Sequence, residues 1–320
     1  MRQICAFEEK KLMKDLAPVV VFAYRRPDHL RRTLDSLMRC DGFSESLVIV
    51  YFDGPRDDAE KEDIATVREL AVGMLGNLAE YHFSEVNIGL SHSVITGVSE
   101  VVDRYGRAIV VEDDLELSPD FLSFMNLALD KYASEECVFQ ISGYIFEDLK
   151  PHGVQSAQFL PFTASWGWAT WKRAWDQFDP LASGWEAMLT DRHLRRRFNL
   201  DGAYDYVTML IRQMKGQVDS WAVRWYWTVF KANGLVLFPP ATLVQNKGGD
   251  GSGTHGRGVL RSFSKFAKAS LSFEIALPDS VALSPEAYAY VKKAVWRQNG
   301  RWLGVLVDRL RWLRAVYLDT

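Results

Sequence analysis

The chain is predicted to fold as an α/β protein: a mostly parallel, Rossmann-like sheet flanked by helices, with a helical C-terminal extension. Three observations predict it. Short apolar runs alternate with segments of helical periodicity from residue 18 to about residue 131, the pattern of strands joined by crossover helices. The runs at 18–24 and 108–111 are continuous rather than alternating, as in strands buried on both faces. Runs end in Arg25-Arg26, Asp53-Gly54 and Glu112-Asp113-Asp114, which right-handed crossovers collect at the carboxyl edge of one sheet.

Residues 18–24 (PVVVFAY) read as the first strand, broken by Arg25-Arg26-Pro27-Asp28. Leu30, Leu34, Leu37 and Met38 then recur at helical spacing. Residues 47–52 form a second strand, stopped by the turn signal Asp53-Gly54-Pro55, and a charged helix covers roughly 57–75. Residues 81–83 are a weak third strand. Asn87-Ile88-Gly89-Leu90 opens a helix carrying Val94, Val98, Val101 and Val102. Residues 108–111 are the central strand, and after its acids Ser118 and Pro119 supply an N-cap and a first-turn proline for a helix at Phe121.

Beyond this, residues 137–142 read as a strand and 144–162 as an irregular, hairpin-like region. Trp166, Trp168, Trp171 and Trp175 crowd the next segment, with Trp171 and Trp175 four apart on one helix face. Helical patterns cover about 184–198, 203–215 and 221–232, and residues 235–238 are a short strand stopped by Pro239-Pro240. Residues 246–258 (NKGGDGSGTHGRG) are glycine-rich and poorly suited to regular structure. With no repeat and no clean linker, residues 1–270 are expected to form one unit and 271–320 a helical extension.

Composition narrows the classes. A chain of 320 residues, 48% hydrophobic and 25% charged, can bury one large core or two smaller ones. Its net charge of −3 gives no global attraction to nucleic acid. Cys5, Cys40 and Cys137 have neither metal-ligand spacing nor an even count, which favours a reducing compartment. The N-terminal stretch carries charges where a secretory leader needs its apolar core, and no apolar run approaches the ~18 residues of a membrane span. A cytoplasmic protein is expected, soluble or peripheral at the inner face of the membrane.

The three acids after the central strand repel one another and need a cation, a basic partner or water; a solvated acidic turn is the bland alternative. A divalent cation bridging a diphosphate suits carboxylate and water oxygens. Neither an EF-hand series nor a His/Cys cluster suggests another metal.

The ordered series VVVFAYRRPDHLRRTLDSL, FDGP, NIGL, VVEDDLELSPDF, SWGWATW and NKGGDGSGTHG, over about residues 18–257, resembles glycosyltransferases of the GT-A type. It is especially similar to bacterial sugar transferases related to the eukaryotic N-acetylglucosaminyltransferase that starts complex N-glycans. The resemblance implies a GT-A fold, with a nucleotide-binding half at about 18–130 and an acceptor half at about 131–270. It implies Asp114 as the direct ligand of Mn²⁺ or Mg²⁺, with Asp113 and Glu112 on the ribose and donor sugar.

By the same resemblance Arg26 lies near the diphosphate, with Tyr24 beside it, although Arg25 replaces the Asn or Asp often found there. Asp53 reads the uracil N–H, or else forms an Asx turn before Gly54-Pro55. His92 contacts the nucleotide, or serves structurally. Trp166 and Gly167 lie nearest the sugars, while the other tryptophans stack on a sugar or fill core. His255 closes over the bound donor, or rides a surface loop. Asp219 matches the family's general base, with Val218 and Ser220 replacing two residues of its Trp-Asp-Asp-Trp type sequence; it could equally cap the helix that follows. Asp205, Asp250 and Glu147 are lesser candidates.

The expected function is metal-dependent, inverting hexosyl transfer from a nucleotide-diphosphate sugar, UDP-linked by expectation, to a glycan or lipid-linked glycan in bacterial surface-polysaccharide assembly. A sugar nucleotidyltransferase would want a glycine-rich loop where AYRRPDHL stands. A non-catalytic carbohydrate-binding or membrane-adaptor protein is the remaining alternative. The stripe Leu303, Leu306, Val307, Leu310, Leu313 and Tyr317, flanked by arginines, packs on the domain, dimerises or lies on an anionic membrane.

Overall fold

The computed structural model describes residues 16–250, 275–300, 307 and 310–316. Its first half alternates strands β1 (Val19–Ala23), β2 (Val48–Phe52), β3 (Ala79–Phe83) and β4 (Arg107–Glu112) with helices α1 (Pro27–Leu37), α2 (Lys61–Leu75) and α3 (Leu90–Tyr105). After the acids come β5 (Leu115–Leu117) and α4 (Phe121–Lys131). The second half holds β6 (Val138–Ser142), β7 (Gln158–Leu160) and β8 (Trp168–Trp171). It continues through α5 (Arg192–Phe198), α6 (Tyr206–Met214) and α7 (Trp221–Lys231) to β9 (Leu235–Phe238) and β10 (Val244–Asn246). Helix α8 (Pro285–Gln298) follows.

Eight strands form one sheet in the order β3-β2-β1-β4-β8-β6-β9-β7, and β10 and β5 form a second, two-stranded sheet. The β1, β2, β3 and β4 pairings are parallel, whereas β8 runs antiparallel to both β4 and β6. Each apolar residue of β1 is buried and they divide between two cores. Val20 and Phe22 join the cluster containing α3 and α7, while Val19, Val21 and Ala23 join the cluster containing α1 and α4. Burial on both faces is why these strands read as unbroken apolar runs.

The strand at 168–171 corrects the sequence expectation. Trp171 and Trp175 do not share a helix face: Trp171 ends β8, and Trp175 closes a single helical turn, Lys172–Trp175. The extended segment is selected by its two strand neighbours, which tertiary pairing imposes over local preference. Asp120, rather than Ser118, precedes α4, and the Ser118 hydroxyl accepts from the Asp120 N–H at 3.3 Å.

Most of the aromatic cluster is core. Trp168 stacks on Trp221 with centroids 5.1 Å apart, and Trp175 lies 5.0 Å from Trp225. Trp225 donates its Nε1–H to Gln140 Oε1 at 2.7 Å, and Gln140 donates to the Ala164 carbonyl at 2.7 Å. Trp225→Phe leaves that oxygen unpaired and opens a void, so a loss of about 2–4 kcal/mol is expected. An unchanged urea midpoint and slope would show that this indole–amide contact contributes nothing.

The described part of the C-terminal region packs on this body. Ser284 donates its N–H to the Phe159 carbonyl at 3.0 Å, and Ala287, Val291 and Val295 of α8 are buried. Residues 310–316 are helical, with Ala315 buried and its carbonyl accepting from Lys215 Nζ at 2.6 Å.

Candidate active site

Parallel pairing of β1 with β4 sets Phe22 opposite Glu112, so Tyr24–Arg26 and Glu112–Asp114 leave the sheet side by side. Arg26 donates Nη2 to Asp113 Oδ1, and to Asp114 Oδ2 at 3.0 Å. The Tyr24 N–H reaches Asp113 Oδ2 at 3.3 Å, and the Thr33 hydroxyl donates to the Asp113 carbonyl at 2.8 Å. Asp113 is therefore held inward, 4% exposed. Burial, followed by the charges of Asp114 and Asp113, pushes the Glu112 carboxyl up; burial also raises Asp113, with Arg26 opposing it. The guanidinium supplies the positive charge that adjacent acids require.

The small second sheet folds onto these acids. Strand β10 lies antiparallel to β5 with Asn246 opposite Leu115, and the Lys247 N–H donates to the Asp114 carbonyl at 2.8 Å. Asn246 Nδ2 approaches Asp114 Oδ1 at 3.4 Å. A Cβ at Gly248 would lie 2.2 Å from Asp114 Oδ2, so glycine there leaves the carboxylate oxygen room. Asn246 thus belongs to a strand, not to an irregular loop.

A second constellation surrounds residues 87–91. Asp53 Oδ1 accepts from the N–H groups of Gly54 and Ile88, each at 2.8 Å. Its Oδ2 accepts from Asn87 Nδ2 and the Gly89 N–H, each at 2.9 Å. Four donors fill the acceptor sites of a carboxylate. Asp53, expected by resemblance to read a uracil N–H, here orders the 87–89 loop. On the other side of this loop, Asp219 Oδ2 accepts from the Ser91 N–H at 3.3 Å and lies 3.2 Å from where a Gly89 Cβ would be. Asp219 does not cap α7; Ser220 does, accepting from the Val223 N–H at 3.5 Å. The Asp219 carboxylate instead meets the N-terminus of α3, whose partial positive charge favours an anion.

The remaining candidates divide. The Tyr24 hydroxyl donates to Glu60, and burial with that bond raises its pKa. Arg25 pairs with Glu60 at 3.5 Å, so Tyr24 and Arg25 share that carboxylate. His92 is exposed in the first turn of α3. Trp166 packs edge-on against Tyr144, centroids 4.5 Å apart, and a Cβ at Gly167 would lie 2.7 Å from Val244 Cγ2. Gly167 therefore packs against β10. Asp205 caps α6 through the Thr208 N–H at 3.1 Å, and Glu147 pairs with Arg297 at 3.1 Å. Asp250 ends a 3₁₀ turn after Gly248. His255 lies outside the described residues.

Sequence reasoning missed Thr33, Ser91 and Asn246 as parts of these networks. The glycine at 248, following a short apolar pair at 243–244, is the one signal that hinted at a close backbone approach.

A largely parallel sheet, an acidic run ending its central strand and a two-stranded sheet folded onto that run define an α/β fold of the GT-A type. The chain belongs to the GNT-I family, whose model matches residues 1–204. It is 24% identical over 225 residues to an alpha-1,3-mannosyl-glycoprotein 2-beta-N-acetylglucosaminyltransferase of Arabidopsis thaliana, covering 62% of this chain and 48% of that protein. The chain thus spans about half the length of this curated relative. Among solved structures it is similar to a mannosyltransferase from Pyrobaculum calidifontis in complex with GDP-Man and Mn²⁺. That match has 14% identity and a TM-score of 0.36, over 53% of this chain and 52% of the other. It is also similar to mouse xyloside xylosyltransferase 1 in its apo form, with 11% identity and a TM-score of 0.35, over 68% and 81%.

Proposed function

We propose that this protein is an inverting glycosyltransferase that moves a hexose from a nucleotide-diphosphate donor, a UDP-sugar in the simplest case, to a glycan or lipid-linked glycan. The observation that carries the reading is the group of Arg26, Asp113, Asp114, Asn246 and Gly248 at the carboxyl edge of the sheet, in a member of the GNT-I family. Asp114, a carboxylate at the carboxyl edge of the sheet, is a hard oxygen donor of the kind a divalent cation prefers. Among the described residues no cluster of three or more His, Cys, Asp or Glu could hold a metal. Diphosphate and water oxygens would suit the remaining positions of a cation held by Asp114. When bound, Mn²⁺ or Mg²⁺ supplies the positive charge that stabilises the diphosphate leaving group.

Arg26, which pairs with Asp113 and Asp114 in this structure, would lie beside the diphosphate, and Asp114 would hold the cation. Glu112 and Asp113 flank ribose and sugar. Asp219 removes the acceptor hydroxyl's proton from the face opposite the leaving group, which inverts the anomeric centre. Residues 1–270 act as the catalytic unit.

The acceptor reading favours bacterial surface-polysaccharide or glycolipid assembly in the cytoplasm. No helix among the described residues is long and apolar enough to cross a membrane. Leu310 and Leu313 are exposed beside Arg311 and Arg314, which suits peripheral contact with an anionic membrane where lipid-linked acceptors reside.

A melting-temperature screen of nucleotide sugars with and without Mn²⁺ tests the proposal. A cognate donor at a hundred times its Kd stabilises the fold by about 2.7 kcal/mol, and the shift should need the cation. If no nucleotide sugar raises the melting temperature with Mn²⁺ present, the donor reading fails.

A further inference from the structure

One guanidinium holds both sides of the contact that orients Asp219. Arg224 of α7 donates Nη2 to the Ser91 hydroxyl, Nε to the Ser220 carbonyl at 3.2 Å and Nη1 to the Pro180 carbonyl at 3.2 Å. Ser91 is the residue whose N–H holds the Asp219 carboxylate, and Ser220 follows Asp219 in the chain. From the other direction, the Ser220 N–H is fixed by Gln213 Oε1. The aspartate is thus suspended between two residues that are bonded to the same arginine.

The chain offers no local means of doing this. Ser91 lies in the first turn of α3 and Asp219 precedes α7, so their separation depends on how two distant helices pack. A planar guanidinium with several fixed donors can span such a junction and hold its angle, which a flexible ammonium does less well. Arg224 is only partly exposed. Burial draws its pKa down, and the negative charge of Asp219 opposes that loss.

We infer that Arg224 is a positioning residue for sugar transfer: by tying Ser91 to Ser220 it sets the direction in which Asp219 faces the acceptor hydroxyl. This rests on the reading of Asp219 as general base. A base acts only within hydrogen-bond reach of its proton, and a misplacement of about 1 Å can cost about a hundredfold in rate.

The experiment is a double-mutant cycle on the full chain with the cognate donor, Mn²⁺ and an acceptor. Arg224→Gln should lower kcat about tenfold or more, with donor KM and the Mn²⁺-dependent melting shift unchanged. Arg224→Lys should recover part of the rate. Ser91→Ala, which removes the hydroxyl but keeps the N–H, should give a smaller loss and is the fallback if Arg224→Gln folds poorly. In an Asp219→Asn background, Arg224→Gln should add no further loss, because the group it positions is already inert. Equal fold losses in both backgrounds, or native kcat in Arg224→Gln, would overturn the inference. Native transfer by Asp219→Asn alone would remove the base assignment and this inference with it, leaving the donor reading intact.

Discussion

Asp219→Asn is expected to lower sugar transfer by at least about a hundredfold while leaving the melting temperature and donor affinity near native. An acceptor hydroxyl is a poor nucleophile at neutral pH, and a positioned base contributes ~10²–10⁴ in rate. The substitution isolates that contribution unusually well here. Ser220, not Asp219, caps α7, so no helix cap is lost. An asparagine oxygen can still accept from the Ser91 N–H, so the contact to α3 survives and only basicity disappears. Initial rates give the first measurement. The second is the product's anomeric configuration by NMR, which should be inverted in the native enzyme. A mutant that transfers normally, or a retained configuration, refutes the assignment.

Asp114→Asn is expected to weaken Mn²⁺-dependent nucleotide binding at least about a hundredfold, close to 3 kcal/mol. The amide keeps the shape and can still face Asn246, but it lacks the charge a divalent cation requires. Arg26 retains Asp113 as a partner, so the fold should persist without the second aspartate. Gly248→Ala should reach the same phenotype from the opposite side, because its Cβ would sit 2.2 Å from Asp114 Oδ2. Calorimetry on folded variants decides the matter. Unchanged Mn²⁺-dependent UDP affinity in Asp114→Asn would exclude this carboxylate as the ligand.

Legibility of the site followed how local each feature is. Arg26 and Glu112–Asp114 could be placed at one sheet edge from strand ends alone, because the apolar runs at 19–23 and 108–111 read as buried parallel strands that end there. Asp53 was legible at the end of β2, but its loop contacts were not. Its four partners include Asn87, Ile88 and Gly89, and whether a carboxylate faces a ligand or a loop depends on where a segment distant in sequence closes. Asp219 shows the same division. Its place before a helix was legible; its attachment to α3 rather than α7 was not.

Periodicity and turn chemistry by themselves determined the strand–helix alternation of residues 18–131 apart from β5, and which acids follow β4. Those are short-range properties, set by side-chain pattern and backbone preference within a few residues. Tertiary structure alone decided that Trp168–Trp171 enters the sheet between β4 and β6, that β10 folds onto Asp114, and that Arg224 joins α3 to α7. Each of these pairs groups that are far apart in the chain, and their hydrogen bonds and buried contacts exist only once the packed sheet has brought those groups together.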